Sequence, residues 1–261
     1  MTTMIGCIVQ ARMGSTRLPG KVMLPLDEEH TLLFYVLKQL QSCKYIDKII
    51  VATTDKKDDD VIVDFVTNMG IACFRGSDED VLDRYYQCAK HYSFSTIVRI
   101  TSDCPLIDPV VVDMLVEKFN SGSYDYVTNS RPLTFPYGIA ADILSFQAIE
   151  TAWKNAKLPS EREHVTPYIV NNKQNFKIFN VTNSQNFSHI RITVDRINDL
   201  KLVQTIISKI KKRPILMNDI VDLFLKEPEL FDINKNYTYA EGYLKSLKED
   251  EEFLKARKAN S

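Results

Sequence analysis

The sequence predicts an α/β protein, a mostly parallel mixed sheet with helices on both faces. Short apolar runs at residues 4–9, 48–52 and 96–100 have the length of buried strands. Between them, apolar residues recur at helical spacing, as at Leu33, Val36, Leu37 and Leu40. Strands and helices alternating in this way imply crossover connections and parallel pairing.

The run at 4–9 empties into a loop, residues 10–21, that contains Gly14, Pro19 and Gly20. A helix around Leu33–Leu40 follows, then the strand KIIVA at 48–52. Val61, Phe65 and Met69 mark the next helix, which Gly70 stops. Residues 72–74 form a short strand. Residues 78–92 form a helix whose inward face carries Val81, Leu82, Tyr85, Cys88 and Ala89. The strand TIVRI at 96–100 leads through a turn at 102–109 into a helix over 110–119.

The pattern loosens after Gly122. Residues 124–128, 177–181 and 190–194 read as strands, and 145–156, 161–172, 197–210 and 217–226 as helices. The densely charged stretch 245–258 reads as a solvated terminal helix. One domain over 1–230 is expected, with an acceptor-side or dimer-forming flap near 129–190 and a helical extension at 231–261.

Bulk properties exclude several classes. The 261 residues suffice for a sizeable core without staples. With 33 basic against 34 acidic residues, no global field recruits nucleic acid or an anionic membrane. Five cysteines without a CxxC, and only four histidines, argue against a zinc site and a disulfide framework. No stretch approaches the ~18 apolar residues of a membrane span. A cytoplasmic protein is expected.

In parallel sheets, ligands bind outside the carboxyl ends of the strands. This draws attention to the loops at 11–21 and 102–108. The first places Arg12, Arg17 and Lys21 within ten residues. Gly14 lets backbone amides approach an anion, Arg offers a planar fork, and Lys a compact charge. The turn at Pro19-Gly20 can bring Lys21 back toward the strand end. The loop is neither GxxxxGK[ST] nor GxGxxG. A solvated basic loop would have the same composition.

In the second loop, Asp103 follows a buried strand and faces the ligand crevice, where magnesium takes one or two carboxylates plus substrate phosphate. It is also a good turn-former. Asp108, before Pro109, suits the N-cap of the next helix. Asp195 ends the run RITV and is either a helix cap or a second crevice carboxylate. Asp80 and Arg84 stand one helical turn apart, the spacing of an ordinary surface ion pair. Arg162, Glu163 and His164 form the main acceptor-side cluster. Arg162 has no well-placed acid beside it and calls for an external anion or a partner across a dimer interface.

The stretch QARMGSTRLPGK (10–21) resembles the nucleotide-binding signature of cytidylyltransferases that activate acidic sugars. The likeness continues through RITSDCPLID (99–108), REHVTPY (162–168) and RITVD (191–195) with Asp199-Leu200, covering roughly residues 4–210. It is nearest to the spore-coat polysaccharide biosynthesis cytidylyltransferases, and similar to the 3-deoxy-manno-octulosonate and acylneuraminate cytidylyltransferases.

The resemblance implies a nucleotide-diphospho-sugar transferase-like, Rossmann-like fold in a homodimer. It implies transfer of CMP from CTP, with magnesium, to an acidic sugar or related acceptor. Arg12, Arg17 and Lys21 would meet the triphosphate. Gln10, Ala11, Gly14, Ser15, Asp80, Arg84 and Thr101 would complete the nucleotide site, and Asp103 and Asp195 the metal site. Asn129, Tyr137 and Asp142 would join Arg162, Glu163 and His164 at the acceptor. Ala140 and Arg196 depart from the family's pattern. Other readings left open are a different triphosphate, a phosphorylated acceptor, or a glycosyltransferase on the same fold class.

Overall fold

The computed structural model describes residues 4–259. In chain order, β1 spans Ile5–Gln10, α1 Leu32–Leu40, β2 Lys48–Thr54, α2 Asp60–Asn68, β3 Ala72–Gly76, α3 Val81–His91, β4 Thr96–Thr101 and α4 Pro109–Asn120. Then follow β5 Tyr126–Thr128, β6 Asp142–Ser145, α5 Phe146–Asn155, α6 Pro159–His164, α7 Pro167–Asn171, β7 Ile178–Asn180, α8 Ile197–Lys209, α9 Met217–Lys226 and α10 Glu241–Ala259.

The seven strands form one sheet in the order β3-β2-β1-β4-β6-β5-β7. The pairs β1–β2, β2–β3, β1–β4 and β5–β7 are parallel, and β6 runs antiparallel to both of its neighbours. Successive side chains of a strand point to opposite faces. Cys7 and Val9 of β1 therefore join the core beneath α1, α2, α4, α8 and α9, while Ile8 joins the core beneath α3, α5 and α7. Val98 and Ile100 of β4 divide from Ile97 in the same way. Burial on both faces is why these strands read as continuous apolar runs rather than alternating ones. The expected fold class is the observed one.

From β1 the chain proceeds outward to β2 and β3, then returns to place β4 on the other side of β1. The strand order thus reverses between β1 and β4, and a crevice opens there at the carboxyl ends of both strands.

Four local expectations change. Residues 190–194 are not a strand. They carry a single bridge, Tyr137 to Arg191, and the sheet instead gains the four-residue β6 at Asp142–Ser145. Gly138 explains the close crossing: its φ is 128°, and a Cβ there would lie 2.8 Å from Thr193 N. The helix expected at 161–172 is two helices, because Val165 turns to φ 69° between α6 and α7. On α2 the fully buried pair is Ile62 and Val66, and Val61 is exposed, so the inward face is displaced by one residue. Finally, α10 is not simply solvated. It packs on α6, and its Ser246 and Asp250 are buried.

Candidate active site

The loop after β1 is pinned from behind by Asp59, which precedes α2. Asp59 is buried. It accepts from Met13 N at 2.7 Å, Thr53 Oγ1 at 3.0 Å and Thr54 N at 3.1 Å. Met13 O in turn accepts from Ser15 N and Gly20 N. Gly20, at φ 65°, makes the turn that starts a short 3-10 helix over Lys21–Met23. The loop therefore curls back and sends Lys21 under the crevice, as the Pro19-Gly20 turn predicted.

Lys21 Nζ donates to Val194 O at 2.8 Å and Asp195 Oδ1 at 2.9 Å, and lies 3.5 Å from Asp103 Oδ2. Arg17 Nη2 reaches Asp195 Oδ1 at 2.5 Å. Arg12 pairs with Glu163 at 3.0 Å and Asp78 at 3.4 Å. Each cation of the loop is thus matched to a protein carboxylate from a distant part of the chain.

Asp103 lies two residues beyond β4. Its carbonyl accepts from Val194 N at 2.8 Å and Thr193 Oγ1 at 3.1 Å, which fastens the segment 190–194 beside the crevice. Asp195 is not a helix cap. Asp199 does that work, accepting from Asp195 N and Arg196 N at 3.0 Å each, and also holding Arg191 Nε at 2.8 Å. This leaves the Asp195 carboxylate for the cations. Burial alone would push its pKa up, but Lys21 and Arg17 outweigh burial and hold it at about 2. In the same way burial pulls Lys21 down, and Asp103 and Asp195 reverse it to a net rise. Both groups stay charged at neutral pH. Asp108 caps α4, accepting from Val110 N at 2.7 Å, as its place before Pro109 predicted.

Arg12, Arg17, Lys21 and Asp103 border a cavity of about 550 Å³, and Asp195 stands behind them, paired with Lys21 and Arg17. Gln10, Ala11, Arg12, Gly14, Ser15, Arg17 and Lys21 form the loop side. Thr101 and Asp103 at the end of β4, with Arg84 of α3 and Arg162, Glu163 and His164 of α6, complete the wall. Burial raises the Glu163 carboxyl, with Arg12 opposing. His164 is held down to about 4 by burial and by the charge of Arg99, so it is neutral at pH 7. Burial also raises the Cys104 thiol, which excludes a ready thiolate nucleophile beside Asp103.

Several expected roles require correction. Asp80 does not pair with Arg84. It caps α3 by accepting from Asp83 N at 2.8 Å and forms a two-nitrogen ion pair with Arg162. Arg162 also donates to Trp153 O at 2.8 Å, so its anionic partner is internal and no external anion is called for. Asn129 is fully buried, and both ends of its amide hold backbone, at Ile139 O and Ala141 N. Asp142 is committed to Arg99 at 2.8 Å, Tyr126 Oη at 2.6 Å and Thr128 Oγ1 at 2.8 Å. Tyr137 packs on Tyr239, with Arg191 over its ring. None of Asp80, Asn129, Tyr137, Asp142 and Asp195 lines the cavity, whereas Arg99, not singled out from sequence, does. Its partner Asp142 lies 43 residues away, so the signal was spatial.

Loop cations facing acidic side chains at a sheet switch point are suited to phosphoryl chemistry run by charge and alignment. The class is that of the nucleotidyltransferases with a nucleotide-diphospho-sugar transferase-like fold. Residues 6–251 match the family model described as "Cytidylyltransferase", and the chain belongs to that family as a CTP-dependent nucleotidyltransferase. It is 32% identical over 231 residues to the spore coat polysaccharide biosynthesis protein SpsF of Bacillus subtilis, across 85% of this chain and 94% of that protein. A solved cytidylyltransferase from Leptospira borgpetersenii is 34% identical, with a TM-score of 0.85, over 92% of this chain and all of that one. A CMP:2-keto-3-deoxy-manno-octonic acid synthetase, solved with CTP, shares the fold at a TM-score of 0.61 and 16% identity, over 79% of this chain and 99% of that one.

Proposed function

We propose that the protein transfers CMP from CTP to an acidic sugar or sugar phosphate, releasing pyrophosphate, with magnesium as the metal. The observation that carries this reading is the convergence of Arg17 and Lys21 with Asp103 and Asp195 at the carboxyl ends of β1 and β4.

An acceptor oxygen attacks the α-phosphorus in line. The new O–P bond forms as the bond to the β-phosphate breaks, pyrophosphate leaves, and the acceptor proton passes to solvent. Alignment and neutralisation of charge supply most of the rate. Arg17 and Lys21 exchange part of their pairing with the carboxylates for phosphate oxygens. Arg84, almost fully buried and donating to Ser77 O at 3.1 Å, is a fixed donor at the wall for the base carbonyl. Arg99, held by Asp142 at 2.8 Å, lines the cavity and adds a fixed guanidinium to its wall.

The donor set fits magnesium. Among the described residues no cluster of three or more His, Cys, Asp or Glu side chains forms a cage. Asp103 and Asp195 nevertheless approach one ammonium from two sides, and magnesium usually takes one or two carboxylates plus substrate phosphate. Asp103, the more exposed of the two, and Asp195 would hold it. When bound it supplies further neutralisation of phosphate charge.

The test is pyrophosphate release from CTP, UTP, ATP and GTP, with magnesium or a chelator, against a panel of acidic sugars and sugar phosphates. Release from CTP with an acidic acceptor supports the proposal. Preference for another triphosphate, or full activity in chelator, overturns it.

A further inference from the structure

We propose that the C-terminal helix is part of the substrate site, and that Lys245 is a phosphate-binding cation facing Arg17 and Lys21 across the cavity. The inference rests on the reading of the cavity as a CTP site. Gly242, Lys245, Ser246 and Glu249 of α10 all line the cavity, and their spacing of i, i+3, i+4 and i+7 is that of one helical face. The face is polar. Leu244, Leu247 and Leu254 lie exposed on the other side. A surface helix ordinarily turns its apolar stripe inward, and here the order is reversed because the inward face borders a charged cavity.

Three polar contacts fix α10 in this orientation. Ser160 donates to Asp250 through N at 2.8 Å and Oγ at 2.5 Å, His164 Nε2 lies 3.0 Å from Ser246 Oγ, and Arg196 pairs with Glu241 at 2.8 Å. The helix also passes close over the phosphate loop. A Cβ at Gly242 would lie 3.5 Å from Arg17 Nη1. Lys245 is one turn further along the same cavity-lining face.

The charge balance explains what Lys245 adds. Arg12, Arg17 and Lys21 are matched to partly or largely buried carboxylates, which compete with an incoming phosphate. Lys245 is matched to Glu249 at 3.4 Å in an exposed i,i+4 pair, whose members turn into solvent at little cost. Its ammonium is therefore the cation in this wall that transfers most readily to a phosphate oxygen.

The experiment is calorimetric binding of CTP, CDP and CMP, with magnesium, to the unmodified protein and to Lys245→Ala, Lys245→Arg and Lys248→Ala. Lys245→Ala is expected to weaken CTP about tenfold, as loss of one charge-assisted hydrogen bond does. It should weaken CDP less and CMP little. Lys245→Arg should restore most of the affinity, and Lys248→Ala, on the outward side, should bind as the unmodified protein does. Unchanged CTP affinity in Lys245→Ala, or an equal loss for CMP and CTP, overturns the inference alone. Failure of the unmodified protein to bind CTP overturns the reading of the cavity as well.

Discussion

Lys21 donates to Asp195 at 2.9 Å across 174 residues of sequence, and this contact closes the phosphate loop against the segment leading into α8. It joins the first and last parts of the crevice. It gives Lys21 a structural part beside the one proposed for it at the triphosphate.

Lys21→Ala and Arg17→Ala should each lower kcat/KM with CTP by roughly a hundredfold or more, the size of a lost transition-state charge contact. Lys21→Ala should also lower the Tm, because it leaves Asp195 buried with fewer cations. Arg17, with a more exposed side chain, should change the Tm less. Near-parental kcat/KM in either folded variant would sink the phosphate role.

The two crevice acids should separate by stability. The depressed pKa of Asp195 means that its stabilisation is complete above the unfolded value of about 3.9 and fades as pH falls toward about 2. Asp195→Asn should therefore lower stability at pH 7 by about 2 kcal/mol and flatten the acid limb between pH 4 and 2. Asp103→Asn should abolish metal-supported turnover with little change in urea midpoint. Equal destabilisation by both substitutions would refute the division.

Arg162→Ala should behave as a structural substitution. It removes a half-buried ion pair that holds α6 to the N-terminus of α3, at a cost of roughly 1–2 kcal/mol. A double-mutant cycle with Asp80→Ala should show the two residues coupled. An acceptor KM that rises alone, with the Tm unchanged, would return Arg162 to the acceptor.

His164 provides a second pH signature. Its folded pKa of about 4 lies below the unfolded value of about 6.5. Its contribution is complete above pH 6.5 and is lost as pH falls toward 4, with a slope of at most ~1.4 kcal/mol per pH unit. Denaturant titrations between pH 7 and 4.5 should show this slope, and His164→Gln should remove it. An imidazole that titrates near 6.5 in the folded protein by NMR would contradict the buried neutral form.

Much of the first half was legible in the sequence. Buried parallel strands give long apolar runs, and the Gly20 turn has local chemistry that announces itself. The second half was not, for physical reasons. Strand β6 has only four residues and begins with a polar Asp142 whose partners are across the sheet. The partner of Arg162 is Asp80, 82 positions earlier, and spacing along one helix cannot reveal it. The inward face of α10 is polar, whereas periodicity is read from apolar residues, so its orientation looked like simple exposure. Arg99 is one polar residue within an apolar run, and the wall it occupies exists only once β1, β4 and β6 are adjacent.

The attachment of α10 separates the durability of the chain from that of its activity. The sheet is clamped by two apolar cores, whereas the inward side of this helix is held by Ser160, His164 and Arg196 through polar contacts. Elements with few buried apolar contacts open at lower free energy than the core around them. Amides of α10 should therefore exchange with deuterium well before those of β1 and β4. Trp153, the single tryptophan, stacks on Tyr86 and reports the α3–α5 packing instead. In rising urea its fluorescence should remain native after α10 has opened and turnover has gone, so that loss of activity and loss of the fold fall at separate midpoints.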